Sequence, residues 1–78
     1  MIDINGSKDM GLIIRDLRKK ARLSQGRLAE LANLSRTAIQ TLEAGKETCQ
    51  LDTVFKVLKT LNIQMHLSHP LMKAKSHD

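Results

Sequence analysis

Residues 23–46 read LSQGRLAELANLSRTAIQTLEAGK, and this stretch decides the fold. It holds two short segments with apolar residues at helical spacing, and each follows a serine, Ser24 or Ser35, of the kind that caps helix N-termini. Asn33, between the segments, tolerates the left-handed conformation that ends helices, and Gly45 provides a similar stop after the second segment. The pattern therefore predicts two short helices that are joined by a tight turn.

Two capped helices separated by such a turn match the helix-turn-helix unit. Ala29 belongs where the two helices cross, because a larger side chain would push them apart. In the second helix, four side chains then point away from the core: Arg36, Thr37, Gln40 and Thr41. These side chains suit the major groove of DNA, where Arg pairs with guanine, Gln pairs with adenine, and Thr contacts the thymine methyl group.

Apolar residues at helical spacing also define the remaining helices. The first stripe comprises Met10, Ile13, Ile14, Leu17 and Ala21. It predicts a helix that is capped by Ser7 and stops near Leu23. The two central helices are predicted over residues 24–32 and 35–44, and their inward residues are Leu28, Ala29, Leu31, Ala32, Ala38, Ile39 and Leu42. A fourth helix is predicted over about residues 51–61, with an inward stripe of Leu51, Val54, Phe55, Leu58 and Leu61.

The two ends of the chain differ from this helical middle. Residues 1–7 read as an N-terminal arm, residues 8–68 as the domain, and residues 69–78 as a flexible tail. Within residues 63–67, apolar residues alternate with polar ones, which is the period-two pattern of a half-buried strand. A lone strand leaves its backbone groups unpaired. We therefore expect it to pair with the same strand of a second chain, and the alternative partner is the arm, where two isoleucines also alternate.

Composition and charge bound the function. The chain has 78 residues, a net charge of +5 and a sequence pI near 9.8, so one small basic domain is expected. One Phe and no Trp or Tyr make an aliphatic core necessary. The single cysteine, Cys49, excludes an internal disulfide. Because no apolar run could span a membrane and the N-terminus lacks a signal pattern, a cytoplasmic protein is expected.

The stretch of residues 23–46 resembles the Xre/Cro/C1 family of phage and bacterial repressors, and the longer frame to residue 67 is most similar to HipB-type antitoxins. The resemblance covers roughly residues 10–68. It implies an all-α, four-to-five-helix, lambda-repressor-like domain with one short C-terminal β-strand that pairs across a dimer. It also implies a homodimeric repressor that binds a palindromic operator in double-stranded DNA, represses its own operon and neutralises a HipA-like toxin kinase.

The resemblance also implies roles for individual residues. The base-reading positions are Ser35, Arg36, Thr37 and Gln40, with Thr41 beside them. Gln25 matches the family glutamine that grips a backbone phosphate, and the other expected phosphate contacts are Ser24, Arg27 and Lys46. Arg18 and Glu43 match the structural ion pair between the first and third helices. The expected dimerisation residues are Ile63, Met65 and Leu67.

Other interpretations remain open beside this one. The basic residues of the first two helices are Arg15, Arg18, Lys19, Lys20, Arg22 and Arg27, and such a run is often a solvated face. Beside the helix-turn-helix frame, we expect some of these residues to contact nucleic acid, except Arg18, which is expected to pair with Glu43. The chain could also be a stand-alone Xre/Cro-type repressor, or a protein-interaction module without a toxin. Catalysis has no support, because Ser24 and Ser35 are helix caps and Cys49 has no paired base. His66 and His69 lack a third ligand, so neither a metal nor a cofactor is expected.

Overall fold

Four α-helices account for the regular structure of residues 2–71, which are the part of the chain that the computed structural model describes. In chain order they are α1 (Ser7–Lys20), α2 (Gln25–Ala32), α3 (Arg36–Glu43) and α4 (Leu51–Thr60). Helix α3 packs against both α1 and α2, and α4 packs against α2. The predicted all-α class is therefore confirmed. Within residues 2–71, no helix has the length and apolarity needed to cross a membrane.

The caps predicted for the two central helices form as expected. The Ser24 hydroxyl oxygen accepts a hydrogen bond from the backbone N–H of Arg27 at 3.0 Å. The Ser35 hydroxyl oxygen accepts one from the N–H of Ala38 at 3.1 Å. Asn33 ends α2 in the left-handed conformation, with φ at 57°. Because each cap satisfies backbone groups that a helix end leaves free, these local bonds fix where α2 and α3 begin.

The ends of α1 differ from the prediction. Ser7 is the first helical residue and not the cap, and Gly6 occupies the cap position without a side-chain hydrogen bond. At the other end the helix stops at Lys20, three residues earlier than Leu23. Arg22 there adopts a left-handed φ of 62°, and the Leu23 N–H bonds back to the helix at 3.1 Å, so the chain has already turned.

The core is aliphatic, as the composition requires. It consists of Ile14, Leu28, Ala29, Ala32, Ile39, Leu42, Val54, Val57 and Leu58. Four residues predicted to face inward do not: Ala21 is exposed just after the end of α1, and Leu31, Leu51 and Phe55 are 49%, 65% and 50% exposed. On short helices the covered arc is narrower than the run of apolar residues, so those at its edge stay in solvent. Val57 lies at the centre of the covered face of α4 and is fully buried.

Gly11 sets the distance between α1 and α3. A Cβ atom at this position would lie 2.5 Å from the carbonyl oxygen of Leu42 and 2.8 Å from that of Glu43. Any side chain would therefore force the two helices apart. Gly45 follows α3 with a φ of +75°, and a Cβ there would meet the Cα of Lys8 at 2.7 Å. The turn after α3 thus depends on glycine for its conformation and for its packing against α1.

The C-terminal strand predicted over residues 63–67 is absent from the described chain. Residues 63–69 have no regular structure, and no backbone hydrogen bond in residues 2–71 joins this segment to the N-terminal arm. The reason is that a strand needs a neighbour to satisfy its backbone, and one copy of the chain offers none. Ile63 packs against the core, whereas Met65 and Leu67 are 45% and 80% exposed. Residues 72–78, most of the predicted tail, and Met1 of the arm lie outside the described residues.

Candidate nucleic-acid interface

A buried ion pair connects α1 with the end of α3. The Arg18 Nε donates to Glu43 Oε2 at 2.6 Å, and the second guanidinium nitrogen Nη2 donates to Oε1 at 3.0 Å. The two side chains are only 9% and 3% exposed. The third nitrogen, Nη1, donates to the carbonyl oxygen of Leu23 at 2.7 Å. One guanidinium therefore fixes α1, the turn before α2, and α3 relative to one another.

Gln25 extends this network to the first residue of α2. Its Nε2 donates to Glu43 Oε1 at 3.1 Å. Burial by itself would raise the pKa of the Glu43 carboxyl, but hydrogen bonds from Arg18 and Gln25 and the charges of Arg18 and Arg15 outweigh it, so the pKa lies below its ordinary value. Glu43 is consequently charged at neutral pH. One of the two N–H groups of Gln25 is committed to it, and the other is left for a second acceptor.

The outward face of α3 carries the residues expected to read bases. Ser35, Arg36, Thr37 and Gln40 are exposed, and Thr41 is half-buried. On the opposite side of the same helix, Ile39 and Leu42 are buried in the core. The exposed side chains therefore project from a helix whose position is set by apolar packing and by the Glu43 network. The geometry leaves this face free to enter a groove.

The residues expected to contact phosphate lie around the start of α2 and after α3. Ser24, Arg27 and Lys46 are exposed, and Gln25 is half-buried. The Ser24 oxygen accepts the cap bond, so its hydroxyl hydrogen remains a donor. Arg27 Nη1 lies 3.8 Å from Glu30 Oε1 in an exposed pair that constrains it little. The structure thus places three of these side chains at one end of α2, and Lys46 in the loop that follows α3.

An open cleft of about 540 Å³ lies between α1 and the two central helices. Its lining residues are Arg15, Arg18, Ser24, Gln25, Arg36, Gln40, Glu43 and Ala44. Several expected contact residues therefore share one concave surface with the buried Arg18–Glu43 pair. Arg15 also lines it, although no motif assigned this residue a role of its own. The sequence could have indicated Arg15 as a residue of this surface, because it precedes Arg18 by three residues and the two therefore lie on the same side of α1.

The expected dimerisation residues are not brought together with any partner strand in the described chain. Ile63 is half-buried, and its N–H donates to the carbonyl oxygen of Leu58 at 2.8 Å. Met65 and Leu67 follow it on an exposed segment without regular structure.

Comparison with known proteins identifies the family in which this arrangement of helices occurs. A family profile described as Helix-turn-helix matches residues 14–67. The HTH-type transcriptional regulator y4mF of Sinorhizobium fredii (strain NBRC 101917 / NGR234) is 39% identical over 62 residues, which is 80% of this chain and 82% of the relative. Both matches include the two central helices, the turn between them and α4.

Solved structures give the same architecture. HipB in its complex with the O4 20mer, and again in a HipA–HipB–O2–O3 complex, is similar with a TM-score of 0.82 over 90% of this chain and 99% of the HipB chain. At 21% identity this likeness concerns the fold. The restriction-modification controller protein C.AhdI from Aeromonas hydrophila is 33% identical, with a TM-score of 0.65 over 70% of this chain and 83% of its own.

Proposed function

The chain belongs to the helix-turn-helix family of DNA-binding transcriptional regulators, and we propose that it is a sequence-specific, homodimeric repressor that acts as an antitoxin of the HipB type. One observation carries the DNA-binding part of the proposal. The outward face of α3 presents Arg36, Thr37 and Gln40 to solvent, while its inward face is fixed by the core and by Glu43. Because that helix is fixed in position, its side chains can be matched to base edges.

The residues of α3 read sequence in this proposal. Arg36 donates two hydrogen bonds to a guanine, and Gln40 pairs with an adenine. Thr37 contacts a thymine methyl group, with Ser35 and Thr41 at the margins of the same contact. Arg36 and Gln40 also line the cleft between α1 and the two central helices.

The residues around α2 hold the DNA backbone. Gln25 grips a phosphate with the N–H that it does not give to Glu43, and Ser24 and Arg27 add donors beside it. Lys46 approaches a phosphate from the loop after α3. These contacts carry no sequence information, but they fix the register of α3 in the groove. The chain carries a net charge of +5, so we expect its affinity for DNA to fall steeply as the salt concentration rises.

The proposed homodimer is supported by residues 63–67, which have no neighbouring strand in the part of the chain that the structure describes. In a second copy, residues 63–67 would meet the same segment across a two-fold axis, which satisfies the free backbone groups and covers Met65 and Leu67. For such a dimer to bind a palindromic operator, its two α3 helices must lie about 34 Å apart, one turn of DNA.

The antitoxin part of the proposal is supported by the extent of the likeness to HipB, which includes a HipB chain bound to HipA. On this basis a HipA-like kinase toxin is the second protein partner. A stand-alone regulator is the other candidate, because y4mF is an HTH-type transcriptional regulator and C.AhdI is a restriction-modification controller protein. Co-expression with a HipA-like kinase of the same genome discriminates them, since an antitoxin relieves growth arrest and a stand-alone repressor leaves it unchanged.

Selection from a pool of random duplexes tests the DNA-binding proposal. The purified chain should enrich a two-fold symmetric site and bind it more tightly than a scrambled duplex of the same composition. If no sequence is enriched while the chain is folded and dimeric, the proposed repressor function is wrong. If a single asymmetric half-site is enriched, the homodimer is wrong and the base-reading role of α3 stands.

A further inference from the structure

The cleft between α1 and the two central helices has an excess of positive charge. Of its charged lining residues, Arg15, Arg18 and Arg36 are cationic and Glu43 is the one carboxylate. That carboxylate is already occupied, because it accepts two hydrogen bonds from Arg18 and one from Gln25. Within residues 2–71, neither Arg15 nor Arg36 forms an ion pair. Arg15 acts on Glu43 through its charge, but neither Arg15 nor Arg36 has a paired carboxylate of its own, so the cleft keeps a net positive charge.

The cleft is also suited to an anion by its neutral groups. Ser24 and Gln25 line the same surface, and each keeps a donor hydrogen after its bond inside the protein is made. The cleft is open to solvent, and two of its lining residues, Arg36 and Gln40, belong to the exposed face of α3. An extended polyanion can therefore enter it without a conformational change, and guanidinium groups match the geometry of phosphate oxygens.

We propose that Arg15 is a direct phosphate contact, and that the cleft which it lines with Ser24 and Gln25 holds one backbone phosphodiester of the bound DNA strand. This inference rests on the proposed DNA-binding function and adds α1 to the interface. Arg36, on the α3 side of the cleft, is then free to turn to the base edges. Arg18 is not assigned a phosphate, because it is buried and each of its three guanidinium nitrogens already donates to Glu43 or Leu23.

The test measures DNA affinity by fluorescence anisotropy as a function of salt, on the selected duplex and on a scrambled one. The variant is Arg15→Gln, and the matched control is Lys59→Gln, which removes the same charge from an exposed site on α4 outside the cleft. Arg15→Gln should weaken binding to both duplexes by the same factor. It should also reduce the slope of log affinity against log salt by about 0.9, the value for one lost phosphate contact.

A second series replaces single phosphates of the selected duplex by neutral methylphosphonates. One position should weaken binding by the wild-type protein clearly more than binding by Arg15→Gln, in which Ser24 and Gln25 still face that phosphate, and this coupling identifies a direct contact of Arg15. Arg15→Lys should keep the salt slope of the wild type, because it retains the charge. Equal effects of Arg15→Gln and Lys59→Gln, or no coupled position, would overturn the inference while leaving the DNA-binding function intact. Failure of the wild-type chain to bind either duplex would instead overturn the proposed function.

Discussion

At the scale of single residues, the Glu43 carboxylate of α3 connects this helix to Arg18 of α1 and Gln25 of α2. Its carboxylate is buried, and it accepts hydrogen bonds from Arg18 and Gln25 while Arg18 also reaches the carbonyl oxygen of Leu23. Two charges in this environment lose hydration, which their mutual bonds must offset. The intact pair therefore adds little net stability, whereas removal of one partner is costly because it leaves the other charge buried without a counter-charge.

Arg18→Ala should therefore lower the free energy of unfolding by about 3 kcal/mol, since it leaves Glu43 unpaired. Urea denaturation measures this loss. The control is Lys20→Ala, which breaks the exposed Lys20–Asp16 pair at 3.1 Å and should cost less than about 0.5 kcal/mol. Equal losses for the two variants would mean that burial of the Arg18–Glu43 pair has no energetic weight.

The lowered pKa of Glu43 predicts the pH dependence of stability. A group whose pKa is lower in the folded state stabilises the fold fully above its unfolded pKa, near 4.5 for Glu, and this contribution is lost as pH falls through the folded value. Glu43→Gln removes that contribution, so its unfolding free energy should vary less than that of the wild type in acid. Urea titrations between about pH 6 and pH 3 compare them. Parallel curves would contradict a lowered pKa.

At the scale of elements, the sequence predicted what local chemistry decides. The caps Ser24 and Ser35 and the left-handed Asn33 depend on backbone groups within a few residues, so a single stretch of sequence contained the necessary information. The inward placement of Leu31 and Phe55 was wrong, because exposure depends on how wide a face the neighbouring helices cover. The role of Gly11 was also missed, since nothing near it in sequence shows that α3 crosses there.

Two glycine substitutions should have opposite effects on stability. Gly11→Ala places a methyl group 2.5 Å from a backbone oxygen of α3, so it should lower the free energy of unfolding by about 1–3 kcal/mol. Gly26→Ala lies in the first turn of α2, with only the Ser24 oxygen within reach at 3.9 Å, and should raise it by about 0.5–1 kcal/mol. Thermal or urea unfolding of both variants checks the signs. A neutral Gly11→Ala would contradict the close approach of α1 to α3.

At the scale of the whole molecule, the sequence predicted the exposed face of α3 but not the cleft beside α1. The helix-turn-helix pattern correctly predicted that Arg36, Thr37 and Gln40 of α3 are exposed. The resemblance to the Xre/Cro helix-turn-helix family is confirmed. The strand predicted over residues 63–67 does not form in the single chain, because the neighbour with which it was expected to pair is a second copy of the chain. The cleft beside α1 was not foreseen, since it exists only when three helices are assembled.

Substitution of one exposed apolar residue should separate the proposed dimer. Met65→Glu places a charge on the segment expected to pair across the two-fold axis, and should convert a dimer into a monomer that binds the palindrome more weakly. Leu12→Glu is the control, because Leu12 is exposed to a similar extent on α1. Sedimentation equilibrium gives the mass of each. A Met65→Glu chain that remains dimeric would contradict pairing through residues 63–67.

The central claim is that the outward face of α3 reads base sequence, and its most direct test is the binding of Arg36→Ala to the selected duplex and to a scrambled one. A gel-shift titration at fixed salt gives both affinities. The loss should be about 1–3 kcal/mol on the selected duplex and much smaller on the scrambled one, because only the first has a guanine at the position that Arg36 contacts when α3 is in register. An equal loss on both duplexes would show that Arg36 holds phosphate and does not read bases.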